Sequence, residues 1–306
     1  MELQTLTDNF AIPGALTFSE GEGGLLRANI STPACTAEVY LHGAHLTAWQ
    51  PAGQQPVIFL SETSLFATGK AIRGGVPVIF PWFGARAATP ASDRTDGPAH
   101  GFARTSVWDV AFAAIAGDDL HLTLTLGPSE ASRALGYDHF KVAFELIFGS
   151  ELRMRLTVAN QGTETMYFEE ALHTYFTVSD AETIAIHGLI DAEYLDKTDD
   201  FKRKTQTDPV LHLTGATDRL YLNTAATATL DDTGFNRRIS VAKTNSLSTI
   251  VWNPWAEGSA KMADMTPDNW RHMACVETAN ANENILALAP SQAHTMEAHV
   301  TVAGLG

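Results

Sequence analysis

Apolar and polar residues alternate along much of this chain. Leu120, Leu122, Leu124 and Leu126 are separated by His121, Thr123 and Thr125, and Val142, Phe144, Leu146 and Phe148 repeat the pattern around Glu145. Leu152, Met154, Leu156 and Val158 alternate with Arg153, Arg155 and Thr157, and Met296, Ala298, Val300 and Val302 do the same near the C-terminus. A period of two puts successive side chains on opposite faces of a strand, so each segment reads as a strand with one face in a core. Turn-forming pieces separate the strands: Gly127-Pro128-Ser129, Asn160-Gln161-Gly162 and Asp231-Asp232-Thr233-Gly234. Helical signals are sparse. Ser61–Thr68 fits a short helix, and Thr266-Pro267-Asp268-Asn269 has the hydroxyl cap and first-turn proline of a helix start. Many strands with few short helices predict an all-β fold, a large antiparallel sandwich. No fixed-period repeat or low-complexity tract divides the chain, and Asp196–Lys204 reads as a charged surface loop. Residues 1–306 are therefore expected to form a single domain.

Composition narrows the function. A chain of 306 residues can bury about three quarters of its unfolded surface, which leaves room for a large core. The formal net charge of −15 argues against nucleic acid and anionic membranes as partners. An anionic small molecule would need a local cationic pocket. The two cysteines, Cys35 and Cys275, form no CxxC pair. No basic-then-apolar leader begins the chain and no apolar run is long enough to span a bilayer, so the expected compartment is the cytoplasm and the expected state is a monomer.

Three blocks could carry chemistry. The first runs from Ile72 to Arg104: IRGGVPVIFPWFG, a polar loop, then HGFAR. Arg73 and Arg104 offer planar donor forks suited to phosphate or carboxylate, beside glycines that let a ligand approach; alternatively VPVIF is a plain strand and the arginines are surface charge. The second is EEALHTYF, where strand spacing puts Ala171, His173 and Tyr175 on one face. His173 there is either structural or a proton-exchanging imidazole. The third is MADMTPDNWRHMACVETAN, in which Glu277 shares a face with Cys275 and Met273. A carboxylate on an inward face needs a partner, such as Arg271, or serves as a general base with a tuned pKa. Asp218, next to Arg219, reads locally as a turn residue. Trp252, Trp255 and Trp270 fit either packing or sugar stacking.

Together these blocks resemble the hexose-6-phosphate mutarotases (glucose-6-phosphate 1-epimerases) of the aldose 1-epimerase superfamily. The resemblance rests on YLHGAHLTAW (Tyr40–Trp49), IRGGVPVIFPWFG, HGFAR, EEALHTYF, TDRLY (Thr217–Tyr221), VWNPW (Val251–Trp255) and MADMTPDNWRHMACVETAN, in family order over most of the chain. It implies a galactose mutarotase-like supersandwich with the site on a concave sheet face. It also implies His173 as general acid, Glu277 as general base, Arg73 and Arg104 on a phosphate, Asp218 on the substrate and His100 near the sugar ring. The reaction implied is interconversion of the α and β anomers of an aldohexose 6-phosphate, with no cofactor or metal. One position departs: family members often carry glutamine before the HGFAR histidine, and here it is Ala99, which removes a side-chain hydrogen bond.

Other readings are weaker. HGAH (His42–His45) puts two histidines on opposite strand faces, a poor metal site for a cupin-type isomerase. ATGKAIRGG lacks the upstream glycine and following hydroxyl of a P-loop. A carbohydrate-binding module needs no matched acid and base, and an epimerase for unphosphorylated sugar needs no pair of arginines.

Overall fold

The computed structural model describes residues 1–306. Two large sheets face each other. One has nine strands, in the order Val210–Leu211, Ala185–His187, Ala228–Asp232, Arg237–Thr244, Ala293–Gly304, Leu152–Asn160, Phe140–Phe148, Asp119–Leu126 and Asp109–Ala116. The other has eight: Lys202–Thr205, Glu193–Asp196, Thr217–Tyr221, Ser248–Asn253, Met273–Asn280, Glu170–Leu172 and Val78–Ile79, with Tyr175–Thr177 also pairing with Met273–Asn280. A four-stranded sheet (Leu16–Pro51) and a two-stranded ribbon complete the fold, and the ladders are antiparallel. No helix is long and apolar enough to cross a membrane.

The alternation explains the packing. Leu120, Leu122, Leu124, Val142, Phe144, Leu146, Leu152, Met154, Leu156, Val158, Met296 and Val300 all lie in one core of 60 buried residues. The eight-stranded sheet meets them with Leu172, Phe176, Tyr221, Val251, Ala274 and Val276. Arg237 clamps the two sheets: it leaves the nine-stranded sheet and donates to the carbonyls of Pro56 and Thr177 at 2.7–3.1 Å.

Two helix expectations fail. Ser61–Thr68 forms turns, because the Ser61 hydroxyl bonds to the Asp264 carbonyl and the Asn269 side chain, tying the segment to a distant loop. After Thr266 comes only a 3-10 turn, Asn269–His272, with no hydroxyl cap; the Asn269 side chain accepts from the Thr266 N–H instead. The helices that do form are Leu3–Phe10, Glu130–Ala134 and Trp255–Lys261. Asp196–Lys204 is a strand–turn–strand hairpin at the sheet edge rather than a simple loop. A 3-10 turn, Lys197–Asp199, forms its tip, and Asp200 and Phe201 take positive φ where the chain turns back to pair Lys202 with Asp196.

Phe144 is fully buried in the shared core, and a phenylalanine truncated there typically costs about 3–5 kcal/mol. Phe144→Ala is expected to lower stability by that amount in urea unfolding, while turnover per folded molecule stays at the wild-type value.

Candidate active site

The strand Met273–Asn280 is buried on both faces. Ala274 and Val276 enter the shared core, while Met273, Cys275, Glu277 and Ala279 point to the other side. There Glu277 lies between two small apolar clusters. One contains Ile79, Ala171, Leu220, Ile250 and Ala279, and the other Phe59, Tyr175, Met265, Met273 and Cys275.

His173 meets Glu277 by register. Leu172 pairs with Thr278 and Tyr175 with Cys275, so the alignment continues unbroken and sets residue 173 opposite 277. The ladder is interrupted at His173 by a tight turn, the Thr174 N–H donating back to the Leu172 carbonyl at 2.8 Å, while on the other edge the His173 N–H donates to the Pro77 carbonyl at 3.1 Å. The Nδ1 atom of His173 lies 3.3 Å from Oε1 of Glu277. Neither carboxylate oxygen has a hydrogen-bond partner, nor does His173 Nδ1. Glu277 is 1% exposed and His173 8%. Glu277 is thus more enclosed than strand periodicity alone suggests, because apolar residues of neighbouring strands flank it.

Burial dominates the electrostatics of the pair. It raises the Glu277 carboxyl well above the usual carboxylate range, with Lys197 pulling down and Asp218 pushing up. Burial also holds the His173 imidazole well below its ordinary value, reinforced by His100, Arg104 and Arg73. Both shifts have the same physical cause: enclosure disfavours the charged form of each group.

The remaining residues assemble around this pair. The His100 ring is 5.6 Å from that of His173. Its Nδ1 accepts the Gly84 N–H at 3.2 Å, and burial, Arg104, Lys197 and Arg73 pull its pKa down to about 3. A neutral imidazole accepting at Nδ1 carries its proton on Nε2 and donates there. Arg73 donates to the Tyr175 hydroxyl at 3.0 Å and lies 3.1 Å from Asp264. Burial lowers the Arg73 pKa, but Tyr175 and Asp264 outweigh it, so the net shift is upward. Arg104 has no carboxylate partner; it donates to the Ala99 carbonyl at 2.8 Å. Burial, then its neighbour Arg73, moves the Arg104 pKa down, with Tyr175 opposing. The two guanidinium groups therefore converge beside Tyr175.

The HGAH block, unassigned by chemistry, builds this convergence. His42 bonds the Lys70 carbonyl at 2.7 Å and His45 the Gly74 carbonyl at 2.8 Å, pinning the Arg73 loop. Gly75 has φ +66°, and a Cβ there would sit 2.3 Å from His45 Nε2. Gly43 lies against the Arg104 backbone, where a Cβ would meet its carbonyl at 2.6 Å.

Neither local partner suggested by sequence neighbours is used. Arg271 pairs with Asp180 and Glu182, not with Glu277. Arg219 bonds Gln206, while Asp218 lies 3.3 Å from Lys197. Burial raises the Asp218 pKa against the pull of Lys197. Lys197 also rests 4.6 Å over the Phe83 ring. The sequence reading missed Lys197, hidden in a charged run, and left out Trp252, whose ring is 6.0 Å from His173. Trp255 and Trp270 stack on each other at 4.2 Å. Trp252 was within reach of strand logic, since it pairs with both Asp218 and Cys275; Lys197 gave no signal. The donor atoms of His173, Cys275 and Glu277 lie within 4.8 Å of one another.

The sequence profile of the family described as aldose 1-epimerase matches residues 27–301. A protein of Escherichia coli strain K12, provisionally named glucose-6-phosphate 1-epimerase, is 36% identical over 265 residues, 87% of this chain and 86% of that protein. A crystal structure of a Salmonella typhimurium protein, provisionally described as a mutarotase, superposes with a TM-score of 0.88 at 30% identity, covering 96% of each chain. Galactose 1-epimerase from Lactobacillus acidophilus shares the fold, with a TM-score of 0.70 at 15% identity over 94% of this chain and 98% of that one. This chain belongs to the aldose 1-epimerase family.

Proposed function

We propose that the protein interconverts the α and β anomers of an aldohexose 6-phosphate, with glucose 6-phosphate as the first substrate to test. The observation that carries this reading is one cluster: His173 faces Glu277 at 3.3 Å, with Arg73 and Arg104 gathered at Tyr175 on its flank. The provisional names of the bacterial relatives support the same substrate.

Anomerisation needs one proton taken from the anomeric hydroxyl and one delivered to the ring oxygen. These oxygens share a carbon, so acid and base must be close neighbours, as His173 and Glu277 are. Glu277 removes the hydroxyl proton, the C1–O5 bond breaks and His173 protonates O5. Rotation about C1–C2 exposes the other carbonyl face, and closure reverses the transfers. Each positioned group contributes roughly 10²–10⁴-fold. His100, donating from Nε2, is placed to orient the sugar. The enclosed carboxylate requires side-chain movement to admit the ring.

The phosphate has a second role in this reading. Burial and His100, with Arg104 and Arg73 adding to them, hold the His173 pKa down. A phosphate dianion between the two arginines offsets their charge, so substrate itself raises the imidazole toward the protonated state the acid step needs.

His173→Asn and Glu277→Gln should each keep the fold, by circular dichroism, and lose roughly 100-fold or more in exchange rate by NMR; near-wild-type exchange in either removes that residue from catalysis. Arg104→Ala should raise KM for glucose 6-phosphate roughly 30-fold or more, since losing one partner of a buried charge pair costs about 2–5 kcal/mol. The same variant should leave kcat/KM for glucose unchanged, and a wild-type preference for glucose would favour an epimerase of unphosphorylated sugar. Lys197 lowers the Glu277 pKa, so Lys197→Met should raise it and move the acidic limb of the kcat/KM profile to higher pH. An unmoved limb would show that Lys197 does not act on the base.

A further inference from the structure

We propose that His173, Cys275 and Glu277 form a binding site for a thiophilic divalent cation, with Zn²⁺ as the probe, and that the bound cation inhibits turnover. The inhibitory half rests on the acid–base assignment above; binding itself rests on geometry. The donor atoms are mutually within 4.8 Å, and the imidazole Nδ1 is already 3.3 Å from a carboxylate oxygen. Ligands of a tetrahedral zinc ion are separated by roughly 3.5 Å, given metal–ligand bonds of about 2.0–2.3 Å. Closing the set therefore takes a shift of roughly an ångström at the thiol.

Three observations point to a ligand here rather than to packing alone. His173 Nδ1 and both oxygens of Glu277 are buried and have no hydrogen-bond partner, an arrangement that native interiors avoid. The three residues come from two adjacent strands, with Cys275 two positions before Glu277 on one face and His173 across the ladder. The thiol is fully buried and takes part in no disulfide.

The chemistry selects the ion. One thiolate, one imidazole and one carboxylate suit zinc and are poor ligands for Mg²⁺. A thiolate and a carboxylate together balance a divalent charge, so loading displaces the thiol proton and leaves the ion and its ligands neutral together. The surrounding cations are largely answered: Lys197 by Asp218 and Arg73 by Asp264, with Arg104 alone lacking a carboxylate. A metal in this position uses the imidazole and carboxylate that turnover needs, so it competes with the sugar. Three protein ligands leave a fourth position for water.

The test uses the full chain in a buffer that does not bind metal. Zn²⁺ should inhibit glucose 6-phosphate exchange competitively, reversed by EDTA, while Mg²⁺ has no effect. Cys275→Ala should weaken Zn²⁺ inhibition, measured against the variant's own metal-free rate, by about tenfold or more, the scale on which zinc sites respond to lost support; Cys275→Ser serves if the alanine variant is unstable. Titration of the wild type with Co²⁺ should give a thiolate charge-transfer absorption that Cys275→Ala abolishes. That spectrum needs no turnover, so it judges the site separately from the activity. No thiolate band, or equal Zn²⁺ inhibition in the Cys275 variants, overturns the site. A band without competition against glucose 6-phosphate overturns the inhibitory half alone.

Discussion

The antiparallel register between Glu170–Thr177 and Met273–Asn280 is the constraint on which the site depends. It is fixed by ordinary ladder pairs on either side, Leu172 with Thr278 and Tyr175 with Cys275. A slip of one residue would turn Glu277 toward the shared core and Val276 toward the site. Leu172, Phe176, Ala274 and Val276 resist that slip, because each is buried in the main core. The apolar packing between the sheets therefore sets the position of His173 and Glu277 on the opposite face. At His173 the chain makes a tight turn between the two paired stretches, and the residue is held by its N–H on the Pro77 carbonyl and by its ring stacked on Tyr175 at 4.9 Å.

Enclosure disfavours charge on both members of this pair, and the neighbouring cations oppose it at Glu277 but reinforce it at His173. The two apolar clusters beside Glu277 raise its carboxyl, and the same enclosure lowers His173. Lys197, paired with Asp218 and seated on Phe83, draws Glu277 back toward ionisation. On the other flank burial, His100, Arg104 and Arg73 all hold the His173 imidazole below its ordinary value.

The arginine flank depends on backbone geometry more than on the arginines. His42 and His45 hold carbonyls on either side of Arg73, and Gly43 and Gly75 leave space that any side chain would fill. The HGAH block, read from sequence as a poor metal site, is a clasp between two loops.

Much was legible in the chain because it is local. Period-two alternation gives strands and their buried faces directly, and the alternating segments around Leu122, Phe144, Leu156 and Val300 lie in the core as their spacing implies. The blocks bearing Arg73, His100, Arg104, His173, Asp218 and Glu277 were also identifiable one by one, and the structure brings all six together. Short helices were misjudged because hydroxyls at Ser61 and side chains such as Asn269 found distant partners that local capping rules do not see. Tertiary structure alone decided that Asp218 pairs with Lys197 and not Arg219, that Glu277 is enclosed, and that a thiol stands beside it. The physical reason is that a side chain's face follows from its neighbours in sequence, whereas its partners and its dielectric surroundings come from strands far away along the chain.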